Sequence, residues 1–196
     1  MAYLRGRGQN GLRRKTVAIG IDPLKALTTG IDNIAIGGLV ADALTTGICN
    51  VAIGANALGA STTGCLNVAI GNIAMGGAVT TGKYNVSIGL QSSDAMTSGE
   101  DNIALGSNSL GASTTGCYNI AIGCNAMGSQ AVTGCWNTAV GHGAMGAATS
   151  GEQNTALGVF NSCSLSSGEF NVAVGVGSGR CVTTGSRNVA IGCTSA

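Results

Sequence analysis

The residues able to do chemistry in this chain are few, and they stand apart. His142 is the sole histidine. A catalytic imidazole needs a nucleophile on one side and an orienting carboxylate on the other, and no such set accompanies it. His142 therefore reads as a surface or stacking residue. The carboxylates are scattered singly, with Glu100, Glu152 and Glu169 in corresponding positions alongside Lys83. Lys83 and Glu100 are expected to form a weak pair, and Glu152 and Glu169 to point to solvent. Phosphate-binding, dinucleotide-binding and calcium-repeat patterns are missing from the sequence. The expectation is a protein that is not an enzyme, with no catalytic residues, no metal site and no cofactor.

Eight cysteines are the other reactive set: Cys49, Cys65, Cys117, Cys124, Cys135, Cys163, Cys181 and Cys193. None forms a Cys-x-x-Cys pair, so the spacing does not resemble a zinc site. Cys65, Cys117 and Cys135 each follow a Thr-Thr-Gly-like turn, and Cys124 and Cys193 each follow a recurrent glycine, where other copies hold Ile31, Ile48 or Ser107. They are expected to act as small buried hydrophobes. Cys117 and Cys135 are the one pair whose bonding merits a test.

What positions these residues is a repeat. The pentapeptide Asn-x-Ala-[Ile/Val/Leu]-Gly recurs with its asparagine at Asn33, Asn50, Asn67, Asn85, Asn102, Asn119, Asn137, Asn154, Asn171 and Asn188; an imperfect first copy begins at Thr16, and Ser87 replaces one alanine. A second anchor, Thr-Thr-Gly or a variant, ends three residues before every one of these asparagines. The step is 17 residues, or 18 where one residue is added between the pentapeptide and the next Thr-Thr-Gly. Each unit thus has one fixed and one elastic half, the mark of a stacked repeat architecture.

Alternation of branched and small residues predicts a short strand in the pentapeptide, with the glycines as turns. The elastic half supplies a large apolar residue, either four places after the glycine (Leu58, Met75, Leu110, Met127, Met145) or seven (Leu44, Met96, Leu165, Val182). The prediction is an all-β parallel β-solenoid over residues 16–196, of about eleven coils with two short strands each. The Asn33-to-Asn188 column is expected to form an amide ladder from coil to coil. Val and Ile are expected inside the coil, and the Ala column outside, as a small-residue face suited to packing against another subunit. A trimer is the natural symmetric arrangement of three such rods.

Composition agrees with an ordered but thinly filled core. Glycine supplies 34 of 196 residues, charged residues 9% and aromatics 3%, which fits neither disorder nor collagen. Residues 1–15 carry Arg5, Arg7, Arg13, Arg14 and Lys15 with no acid, predicting a flexible basic arm that docks the rod on another protein. Nucleic acid is the weaker alternative, because the arm is short and lacks interleaved aromatics. The sequence lacks the apolar segment of an export signal and any stretch long enough to span a membrane.

One column collects four of the six aromatics. Two places after Thr-Thr-Gly stand Leu66, Tyr84, Tyr118, Trp136 and Phe170, interrupted by Asp101 and Gln153. If exposed, this stripe would bind sugars or a partner protein; if buried, it would form a seam between subunits.

The unit seen in Asn50-Val51-Ala52-Ile53-Gly54, Asn67-Val68-Ala69-Ile70-Gly71 and Asn188-Val189-Ala190-Ile191-Gly192 resembles the head repeats of trimeric autotransporter adhesins, and related repeats of bacteriophage fibre and appendage proteins. The resemblance covers residues 16–195. It implies a left-handed β-roll in a homotrimer, with Val and Ile packed inside. The repeat here is longer than those of the adhesins, and the sequence shows no export signal, stalk heptads or barrel strands. The expectation is therefore a structural virion protein assembled in the host cytoplasm: a trimeric fibre or decoration protein that docks through its arm and touches a host-surface glycan or protein. The alternatives are an exported adhesin head on a bacterial cell surface, and an ice-binding solenoid using its Thr-Thr pairs.

Overall fold

A computed structural model describes the backbone of Ala2–Tyr3 and residues 15–195. The sheet comprises β1 (Ala2–Tyr3), β2 (Val17–Ile19), β3 (Ile34–Ile36), β4 (Val51–Ile53), β5 (Val68–Ile70), β6 (Val86–Ile88), β7 (Ile103–Leu105), β8 (Ile120–Ile122), β9 (Thr138–Val140), β10 (Thr155–Leu157), β11 (Val172–Val174) and β12 (Val189–Ile191). Strands β2 to β12 pair in sequence order and in parallel, with each residue opposite its equivalent in the next copy, as in Ala52↔Ala69 and Ala139↔Ala156. This is a β-solenoid of eleven parallel strands in about ten turns. At a rise of about 4.8 Å per strand the ladder runs about 50 Å. Strand β1 lies antiparallel to β2 at the first edge. Arg5, Arg7, Arg13 and Arg14 of the basic arm lie outside the described residues; Lys15 is exposed.

Each coil holds one three-residue strand, where two were expected. In the elastic half the backbone enters the left-handed region twice, as at Asn56 and Leu58 or Asn108 and Leu110. Those excursions prevent a second strand, yet neighbouring coils stay bonded through Leu58 N–H to Ala74 O (3.0 Å) and Met75 N–H to Ser92 O (2.9 Å).

The faces of the strand are the reverse of the expectation. Ala35, Ala52, Ala69, Ala104, Ala121, Ala139 and Ala156 are buried inside the coil, whereas Ile34, Ile88, Ile103, Ile122 and Val172 on the other face remain more than a third exposed. The lumen explains the inversion, because it is narrow. In Ala41–Leu44, Leu58–Ser61, Ser93–Met96, Leu110–Ser113 and Ser162–Leu165, one large side chain is matched by a small one three places away, and all but Ser162 (4% exposed) are at most 1% exposed. In these coils one Leu or Met fills most of this space against the strand's alanine, leaving no room for an inward Val or Ile on the strand itself.

The glycine that closes each pentapeptide has φ between 117° and 142° in all eleven copies. A Cβ on Gly106 would also meet the Gly123 carbonyl carbon and oxygen at 2.8 Å. Backbone conformation and coil-to-coil approach both demand glycine there.

Candidate functional site

Inside the rod, the asparagines form the amide ladder. Asn50 N–H and Asn50 Nδ2 donate to Asn33 Oδ1 at 2.9 and 3.0 Å, and Asn50 Nδ2 also donates to Gly64 O at 2.8 Å. The same set recurs at Asn102, whose N–H and Nδ2 donate to Asn85 Oδ1 while Nδ2 reaches Gly116 O at 2.7 Å. The ladder continues through Asn67, Asn119, Asn137, Asn154 and Asn171 to Asn188. The Gly acceptor is the Thr-Thr-Gly glycine of the next coil. This bond couples the two anchors, so their three-residue spacing cannot vary while the elastic half can. At 5% exposure or less from Asn33 to Asn171, these amides are internal fasteners whose capacity is taken up by the fold.

The surface offers two continuous features. The first is the outward strand face, two columns of Val, Ile and Leu from β2 to β12, with Thr138 and Thr155 the polar members. Its side chains are exposed by 36–42% at Ile19, Ile34, Ile88, Ile103, Ile122, Leu157 and Val172, and by 70% at Val189 and Ile191. Summed over both columns the apolar area is on the order of 1,000 Å², beyond the patch a monomeric protein ordinarily leaves open. Sequence reasoning missed this face, although a signal was present. The inward column is uniformly Ala or Ser, whereas the outward columns tolerate Val, Ile, Leu and Thr, so the tight size limit marked the inside.

The second feature is the aromatic stripe. Leu66, Tyr84, Tyr118, Trp136 and Phe170 are all exposed, by 41–53%. With Asp32, Cys49, Asp101, Gln153 and Arg187 they form a column in which every residue has φ between 56° and 60°. Backbone bonds from Trp136 N–H to Cys117 O and from Gln153 N–H to Cys135 O, each 3.1 Å, fix the column to successive coils. The rings of Tyr118 and Trp136 stack with centroids 5.8 Å apart and planes 3° from parallel. Arg187 lies over Phe170, 5.5 Å from its centroid. The carboxylate of Asp101 raises the pKa of the Tyr118 hydroxyl above the ordinary phenol value.

The reactive residues are placed singly. His142 is exposed and meets Phe160 edge-on at 4.9 Å. None of the eight cysteines is buried, which corrects the expectation of small core hydrophobes; their columns lie on the outward side of the turns. Cys117 N–H points to Cys135 Sγ at 3.2 Å, and partial burial raises the pKa of the Cys135 thiol. Lys83 does not pair with Glu100: among the described residues the one ion pair joins Lys25 to Asp22 at 3.7 Å. No group of three or more His, Cys, Asp or Glu suited to a metal occurs among the described residues, and no helix there is long and apolar enough to cross a membrane. Several Thr hydroxyls of the Thr-Thr turns bond to the next coil, as Thr45 Oγ1 does to Thr62 O at 3.0 Å.

Comparison with known proteins returned no match among family models, curated proteins or solved structures.

Proposed function

We propose that the chain is a structural rod, the shaft of a homotrimeric phage fibre or decoration protein, with no enzymatic role. The observation that carries this reading is the outward Val/Ile/Leu face. It runs the length of the ladder in strict register and is too large and apolar to favour an isolated chain in water. Its area is of the size that a stable protein–protein contact buries per partner. Closed symmetry then favours a few identical rods side by side, since each can bury the same face around one axis. Three rods with left-handed coils are the arrangement suggested by the resemblance to adhesin and phage-appendage repeats. The basic arm would dock the shaft on another virion protein.

Mass spectrometry of purified phage particles, made in cells that express the gene, tests the location. The chain is expected in the particles at a copy number divisible by three. Recovery from the host cell envelope, with none in the particles, would favour the exported adhesin head instead.

A further inference from the structure

The aromatic stripe is not explained by folding. A left-handed backbone costs a bulky residue about 1–2 kcal/mol, and Gly, Asn or Asp would occupy the position more cheaply. Yet Tyr84, Tyr118, Trp136 and Phe170 stand there about half exposed, so a large aromatic area is left facing solvent. The stripe also has a pattern. Asp101 separates Tyr84 from Tyr118, and Gln153 separates Trp136 from Phe170. Each gap is flanked by aromatics two coils apart, roughly 10 Å at the inter-strand rise, and has a polar side chain between them. The column just before the stripe places Glu100 beside the first gap and Glu152 beside the second.

We propose that these two gaps are paired subsites for pyranose rings of one polysaccharide lying along the rod. A sugar ring is thicker than a planar guanidinium, and a spacing of roughly 10 Å between walls suits it better. Its C–H faces carry partial positive charge and are attracted to the negative faces of aromatic rings. Asp101 and Gln153 offer hydrogen bonds to hydroxyls between those walls. The gaps repeat three coils apart, roughly 14 Å, so an extended oligosaccharide spans both and gains from binding twice. Glu100, Asp101, Glu152 and Glu169 outnumber Lys83 and Arg187 along this flank, which favours neutral or amine-bearing sugars over uronic acids. The assignment does not depend on the rod being part of a virion.

Trp136 is the only tryptophan, and its emission reports the second gap directly. Titration of the full chain with N-acetylglucosamine and glucosamine hexasaccharides should each give a saturable emission shift, and an oligogalacturonate should give none. Phe170→Asn keeps a residue suited to the left-handed backbone and should weaken hexasaccharide binding at least tenfold without lowering the solution mass. Tyr84→Asn should weaken binding while leaving the shift at saturation intact. No saturable shift with either hexasaccharide overturns the proposal, as does equal binding of the oligogalacturonate. A shift with hexa-arginine alone assigns the gaps to a peptide partner and also overturns it. A lower mass for Phe170→Asn makes the stripe a seam between copies, with the same consequence. A monomeric mass for the unaltered chain would count against the trimer and leave this test unaffected.

Discussion

At the residue scale, the interior is decided by single polar groups. Asn102 is 1% exposed and makes three hydrogen bonds through its N–H and amide, while its Oδ1 accepts from Asn119 N–H at 3.0 Å. Asn102→Ala would leave the Gly116 carbonyl and the Asn119 N–H without partners. A loss of about 2–3 kcal/mol is expected in chemical denaturation, with the midpoint shifted accordingly. Ser87 is the opposite case. It occupies the inward alanine column at 1% exposure, and its hydroxyl has no hydrogen-bond partner. Ser87→Ala restores the column's residue and removes an unsatisfied group, so a gain of about 1 kcal/mol is expected by the same measurement. The Asn ladder was legible in the sequence, because an identical amide every 17 or 18 residues has few other uses. The half-exposed state of the cysteines was not legible, since a thiol is equally at home in a small pocket and on a turn.

At the element scale, the coil is limited by volume. One wall contributes alanine, and the other contributes one Leu or Met whose place alternates between two positions. Leu58 with Ser61 and Ser93 with Met96 are the same solution in opposite order. Leu58→Ser alone is expected to cost about 3 kcal/mol through a cavity, and Ser61→Leu alone to cost 1–3 kcal/mol through overpacking. Together they recreate the Ser93–Met96 order, so the double variant should lose less than either single variant. A double-mutant cycle measured by thermal or denaturant unfolding reads this coupling. The position of each strand was legible, because the pentapeptide is flanked by turn glycines. Its orientation was not read correctly. Period-2 alternation defines two faces without saying which is inside, and the usual placement of larger apolar residues inward fails where the strand's inward position faces a lumen already filled from the elastic half. The second expected strand failed for a local reason, since left-handed residues such as Asn108 and Leu110 carry the backbone out of strand geometry.

At the scale of the whole molecule, stacking makes each coil's stability depend on its neighbours, and the buried apolar residues fall into two clusters. One ends at Met96 and the other begins at Ala104, and buried Ser87, Ser92 and Ser93 stand just before Met96, where the first cluster ends. Both clusters share the same outward face, and that face is where assembly is argued to occur. The overall solenoid was legible from ten in-register copies. The outward face proposed for assembly was not, because it follows from the strand's orientation. The most direct test is the solution mass by light scattering on a size-exclusion column, for the unaltered chain and for Val68→Glu with Ile70→Lys, two outward residues of β5. The unaltered chain should weigh three times its 19.0 kDa, and the paired substitution should shift it toward the single-chain mass while the solenoid's circular dichroism is kept. A single-chain mass for the unaltered protein, or a trimer indifferent to charges on that face, would contradict the account.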